Sequence, residues 1–254
     1  MPLKYCTGYN PSPRPPVLKF ASYFKAVALP AVPQVYGHQG LIPAKGWGML
    51  ANDSVGDCTV AGPMHIIMLW NKIAGRDVSF TDTDALADYS AITGYKSSDP
   101  NTDSGADPNT VAQYWKSTGF IDNSGVRHKI VAELEIDASN LPHLDAAAYL
   151  FDGGVGLGVN LPNSAEDQFD AGQPWTLIPN DSIDGGHYIP MLGRDDQGIR
   201  HIITWGQDQG VQEDWLRAYL MEAVAYVSEE FLVAGKSPEG FDLAALQSDL
   251  EALA

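Results

Sequence analysis

The hydrophobic period of this chain changes once along its length, and that change limits its fold more than any single residue does. Between residues 46 and 125 the apolar side chains recur at helical spacing, as at Val60, Met64, Ile67 and Met68. Between 126 and 232 they form short alternating or continuous runs, at 129–136, 154–161, 188–192, 199–205 and 223–227. One helical run, 144–151, interrupts these strands. Helices first and sheet afterwards predict an α+β chain of two lobes, a helical lobe over about 46–125 and a sheet lobe over about 126–232. Local signals agree with this division. Thr81-Asp82-Thr83-Asp84 offers cap residues before Ala85, and Asp107-Pro108 opens a helix that closes at Gly119.

The two ends stand apart from these lobes. Pro11, Pro13, Pro15, Pro16, Pro30, Pro33 and Pro43 prevent one long helix in residues 1–45, which therefore read as an extended arm. The arm is expected to lie on the protein's own surface or on a neighbour's. A short propeptide is a further reading, against which stand its small size and its lack of helical periodicity. At the other end, Ser237-Pro238-Glu239 or Asp242 opens a helix within 237–254. Its Leu243, Leu246, Leu250 and Leu253 form one narrow seam, expected to meet another subunit.

Charge narrows the partners. Among 254 residues, 15 basic against 32 acidic side chains give −17, a surface that repels nucleic acid and anionic membranes and favours neutral or cationic partners. The N-terminus has no apolar core of a signal peptide, and no apolar run approaches the length of a membrane span. The expected location is the cytosol, or a particle released from the cell. Cys6 and Cys58 are the two cysteines and make no disulfide framework. No phosphate loop, His-Glu-x-x-His pair or paired-cysteine cluster is present, so neither cofactor nor metal is expected. Asp99, Asn101 and Asp103 alternate like calcium ligands, but the glycine comes one place late and no glutamate closes the loop. His38, His65, His128, His143 and His201 read as surface or core histidines.

The chemistry gathers at two places. Cys58 follows the polar turn 52–57 and precedes the apolar run 60–70, which places its thiol near the start of a helix. There the unpaired N–H groups favour the thiolate. A small buried core thiol is the alternative. His187 follows 129 residues later, after Gly185-Gly186 and at the mouth of an apolar strand. A cysteine and a histidine can form a nucleophile and its acid/base partner.

In these landmarks the chain resembles the papain-like (C1-type) cysteine peptidases. Asn52 stands six residues before Cys58, where that family carries a glutamine, and Gly56 matches its turn glycine. Gly185-Gly186-His187 matches its histidine strand, and Ile202-Ile203-Thr204-Trp205-Gly206 resembles the strand that reads Asn-Ser-Trp-Gly. Residues 80–95 and 103–120 resemble its helical lobe, and the likeness spans about 45–232. The chain is also similar to bacterial and phage proteins with a Gly-Asp-Cys-Thr segment. The resemblance implies a helical lobe packed on an antiparallel sheet lobe, and hydrolysis of peptide or amide bonds. It implies Cys58 as nucleophile, His187 as acid/base, Asn52 with the Cys58 N–H as oxyanion hole, and Trp205 packed beside the pair. Three departures matter. Ile203 replaces the orienting asparagine, leaving Thr204 or a backbone carbonyl to hold the imidazole. Asn52 is a methylene shorter than glutamine. Thr59 replaces an aromatic, and Pro63 is expected to kink or delay the helix. A non-catalytic binding or assembly domain, such as a phage particle component, is the alternative that Ile203 and the two added ends suggest.

Overall fold

The computed structural model describes residues 5–16, 18–23 and 31–231. The expected C-terminal helix lies outside the described residues. The helices are α1 (Phe20–Tyr23), α2 (Cys58–Ile73), α3 (Asp82–Thr93), α4 (Pro108–Ser117), α5 (Leu141–Leu150), α6 (Ser164–Asp170) and α7 (Glu213–Tyr219). The strands are β1 (Tyr36–Gly37), β2 (Phe120–Ile121), β3 (Arg127–His128), β4 (Ala132–Ile136), β5 (Val155–Pro162), β6 (Ile183–Arg194), β7 (Arg200–Thr204), β8 (Gln207–Val211) and β9 (Leu220–Val227).

Every residue of α2 from Cys58 to Asn71 is buried. A helix with so little exposed face belongs in the interior, and α2 packs between β6 and the smaller helices α3 and α4. Pro63 does not delay it: the helix begins at Cys58 itself. Pro63 is the sixth residue, so it removes a single bond, the one to the Thr59 carbonyl, close to an end where helical N–H groups lack partners anyway. Thr81 caps α3 in a reciprocal box with Asp84, and the Asp107 side chain caps α4 ahead of Pro108.

The main sheet runs β4-β9-β5-β6-β7-β8, with β1 on the end of β6. Its strand pairings are antiparallel. The chain is thus α+β, with a helical lobe before an antiparallel sheet lobe. The long central strand β6 carries His187 opposite Val159 of β5. The strand β8 has no hydrophobic signal in the sequence. It reads Gln-Asp-Gln-Gly-Val, and backbone pairing with β7 holds it at the sheet edge. Among the described residues no helix is long and apolar enough to cross a membrane.

The described part of the arm lies on its own chain. Tyr9 and Phe20 are buried in the core, Phe20 edge-on to Phe151 and His143, and the Leu18 carbonyl accepts the Glu135 N–H at 2.8 Å. In the acidic loop, Asp99 accepts the Asn101 N–H. Asp103 turns elsewhere: its Oδ2 accepts the Gly56 N–H at 2.8 Å and its Oδ1 the Tyr89 hydroxyl at 2.6 Å.

Candidate active site

The loop before Cys58 holds two successive non-glycine residues in the left-handed region, Leu50 at φ 55° and Ala51 at φ 67°. Such backbone is retained only where its surroundings impose it. The Ala51 N–H is fixed by the Asp82 carboxylate at 3.1 Å. Asn52 follows, and its Nδ2 donates to the Val55 carbonyl at 3.2 Å and to Asp57 Oδ1 at 3.1 Å. The amide that the resemblance assigned to an oxyanion hole is therefore spent locally in this conformation. Asp57 stands at the helix N-cap, but its side chain caps no N–H group. It is fully buried, its Oδ2 has no hydrogen-bond partner, and burial holds its carboxyl well above the usual carboxylate range.

Cys58 begins α2 with 1% of its surface exposed. Burial pushes its thiol up to about 12, Asp57 adds to the rise, and backbone N–H groups of Tyr188, Gly8 and Thr59 pull the other way. A rise from 9.0 to about 12 corresponds to about 4 kcal/mol against the thiolate. A helix N-terminus returns only about 0.3–1 kcal/mol. The thiolate expected from the sequence is absent here because desolvation outweighs the dipole.

His187 is equally buried. Burial holds its imidazole down at about 3, so the ring is neutral at pH 7. Nε2 lies 2.8 Å from Thr204 Oγ1, and the ring stacks on Trp205 with centroids 5.1 Å apart. Thr204 thus occupies the partner's place that Ile203, buried and apolar, cannot fill. Nδ1 has no hydrogen-bond partner, the Cys58 thiol included. Even so, Cys58 and His187 line one void together with Asn52, His65, Thr204 and Trp205. The void offers about 10 Å³ to the centre of a water molecule, room for about one water. His65, read from the sequence as a surface or core histidine, reaches this site from α2. Its Nε2 lies 3.0 Å from the Gly48 carbonyl, and burial lowers it to about 4.

The arm runs past Cys58 and bonds to both lobes. The Tyr9 N–H donates to the Gly186 carbonyl of the sheet lobe at 3.0 Å. On the helical side, the Ala106 N–H donates to the Gly8 carbonyl at 2.9 Å and the Asn10 N–H to the Ala106 carbonyl at 3.0 Å. The Gly8 N–H points at the Cys58 sulfur. A Cβ on Gly8 would overlap the Gly56 carbonyl, and one on Gly186 would overlap the Tyr9 carbonyl, so these glycines let two backbones touch. Farther along, the Tyr5 ring stacks on Trp205 with centroids 4.5 Å apart. Beside the arm, a space of about 320 Å³ stays open along Thr7, Asn10, Asp103, Ser104, Gly105 and Gly186. The sequence reading missed both Asp57 and the arm at this site. The only sequence signal for the second is Gly8, a small residue between Thr7 and Tyr9.

No family model matches the sequence, and no curated protein matches it either. Solved structures do match its fold. Xylellain, a cysteine protease from Xylella fastidiosa, is 15% identical over 89% of this chain and 97% of its own, with a TM-score of 0.59. Procathepsin B S9 from Trypanosoma congolense is 9% identical over 88% of this chain and 87% of its own, at 0.57. The Carica candamarcensis cysteine protease CMS1MS2, solved in complex with E-64, is 16% identical over 78% and 99%, at 0.54. At such identities the likeness is one of fold, and the fold is papain-like.

Proposed function

We propose that this papain-like chain is a cysteine hydrolase of peptide or amide bonds, held closed by residues 5–10 of its own arm. One observation carries this reading. Cys58 and His187, brought from different lobes, line one void, and a peptide segment that reaches the Cys58 sulfur is already hydrogen-bonded to both lobes. In the open form, the neutral His187 takes the Cys58 proton and the thiolate attacks the substrate carbonyl. The imidazolium gives that proton to the leaving amine as the C–N bond breaks, and water hydrolyses the resulting thioester. Thr204 keeps Nε2 occupied so that Nδ1 is the nitrogen left for the thiol. The Cys58 N–H is one oxyanion donor, and Asn52 becomes the second once its amide leaves Asp57. Admitting water and substrate lowers the desolvation that now disfavours both ionised groups.

The test is hydrolysis of a peptide panel by an arm-loosened variant, Tyr5→Ala with Tyr9→Ala, followed by Cys58→Ala and His187→Ala in that background. Turnover lost in both second-step variants supports the reading. Absent turnover, with Cys58 alkylated no faster than in the parent, removes it. A second reading is a binding or assembly domain that keeps the fold without the reaction. It is favoured by the shifts of Cys58 and His187, each of which opposes the ionised pair. Fast turnover by the loosened variant ends that reading.

A further inference from the structure

We propose that Trp205, Phe169 and Asp170 form a subsite for an aromatic side chain, tyrosine before phenylalanine, and that the peptides this cleft takes carry such a ring at the register now held by Tyr5. The inference rests on the cleft being a peptide-binding site, as proposed above, and adds what it selects.

Three residues of one short helix are spent on one residue of the arm. Phe169 and Asp170 stand three and four residues after Glu166 on α6, which puts all three on one face. Glu166 Oε1 accepts the Tyr5 N–H at 3.1 Å. The Phe169 ring meets the Tyr5 ring edge-on, with centroids 5.6 Å apart, and Asp170 Oδ1 accepts the Tyr5 hydroxyl at 3.1 Å. The backbone, the ring and the hydroxyl of Tyr5 are thus each met by a separate group. Trp205 supplies the flat wall. It stacks on the Tyr5 ring with centroids 4.5 Å and planes 16° apart, and Phe169 is in turn edge-on to Trp205 at 4.9 Å. Phe169 and Trp205 are themselves buried, so this wall is fixed in place.

The position of Trp205 is the second, independent sign. Thr204 pairs with Gln207, so Trp205 and Gly206 make the whole turn between β7 and β8. Both lie in the left-handed region, at φ 45° and φ 73°. Such a turn favours asparagine or glycine at its first central position, and a bulky ring there carries a conformational cost. Cost of this kind persists where surrounding structure imposes it, commonly at ligand-holding sites. The indole N–H gains nothing from the arrangement, because it has no hydrogen-bond acceptor. What the turn does present is the flat of the ring, stacked on His187 and on Tyr5. The subsite therefore adjoins the candidate acid/base through one shared indole. Tyr5 precedes by three residues Gly8, whose N–H points at the Cys58 sulfur, so the ring is recognised close to the nucleophile. An incoming tyrosine reproduces the ring contacts and the Asp170 bond, a phenylalanine only the ring contacts. An aliphatic side chain keeps burial alone.

The experiment uses the full chain with its arm loosened and its nucleophile removed, Tyr5→Ala with Tyr9→Ala and Cys58→Ala. The probes are acetylated pentapeptide amides. The first, Tyr-Ser-Thr-Gly-Tyr, follows residues 5–9 with serine for the cysteine, and three others carry phenylalanine, leucine or alanine as first residue. Affinities from titration calorimetry are expected to fall in the order tyrosine, phenylalanine, leucine, alanine. Tyrosine is expected to exceed leucine about tenfold and phenylalanine about threefold. Asp170→Ala, at an exposed position, is expected to erase the preference for tyrosine over phenylalanine and to keep that for phenylalanine over leucine. Phe169→Leu is expected to narrow the second preference. No measurable binding of the tyrosine peptide, equal affinity for the tyrosine and leucine peptides, or a ranking that neither substitution changes overturns the subsite. None of these readouts needs turnover, so an inactive Cys58 would sink the hydrolase and leave the ranking standing. Turnover by the arm-loosened chain, alongside a flat ranking, would do the reverse.

Discussion

Desolvation sets the charge state of single side chains throughout this molecule, and hydrogen-bonded carboxylates reverse it where they are present. His187 and His65 are buried without an acidic partner and are lowered to about 3 and about 4. His128 is also buried but lies between Glu230 at 2.9 Å and Asp122 at 3.2 Å, and these outweigh its burial and raise it. The bond to Asp208 at 2.8 Å raises His201. Imidazole resonances followed by NMR are therefore expected to fall into two classes. His65 and His187 stay neutral down to pH 5, and His128 and His201 hold their protons above the model-peptide value of 6.5. A His187 that titrates near 6.5 would show that the site is wet rather than closed. Cys58 and His187 were legible in the sequence because glycine and polar turns flag the chain entering a helix and a strand. Asp57 was not, although it is the neighbour of Cys58. Whether an N-cap side chain caps its helix or turns inward depends on what the tertiary structure puts beside it.

Among the elements, the arm departs furthest from its sequence. Its scattered prolines exclude one long helix, but nothing in a proline says which surface a segment will cover. The answer lies in Tyr5, Gly8 and Tyr9, whose roles depend on Trp205, Gly56 and Gly186 far along the chain. Tyr9 closes over Gly158 with its ring and donates its hydroxyl to Glu222 at 3.0 Å. Tyr9→Ala is expected to lower unfolding stability by about 3 kcal/mol, the cost of truncating a buried aromatic. Denaturant titration with Cys58 alkylation beside it checks this. Stability unchanged by the truncation would mean that the arm rides on the domain without holding it, as an arm meant for a neighbour would. The strands show the opposite case. The buried runs at 154–161 and 188–192 announced β5 and β6 because both faces of a central strand are apolar. The polar edge strand β8 could only be found from its partner.

For the whole chain, the described C-terminal end is clasped to both lobes by one group. Glu230 takes the His128 imidazole and the Asn71 amide, and its carbonyl takes Arg76. His128 binds its proton more tightly folded than unfolded, so its contribution to stability is fully present below pH 6.5. That contribution is lost as pH rises from 6.5 through the folded value. The groups facing the ring are Asp122 on the loop of the small hairpin, Glu230 after β9 and the Phe80 edge. Unfolding midpoints measured from pH 6 to 9 are expected to fall along this flank, and His128→Gln is expected to flatten it. A variant whose profile parallels the parent's would assign the alkaline loss to other groups.

Trp205 stacks on the imidazole of His187 and on the first ring of the arm, Tyr5. An indole held between a titratable ring and a removable one has its excited state tuned by both. The near-ultraviolet dichroism and emission of that single chromophore therefore make a built-in optical gauge. It reads, without any added dye, whether the cleft is covered and whether the imidazole beneath it carries a charge.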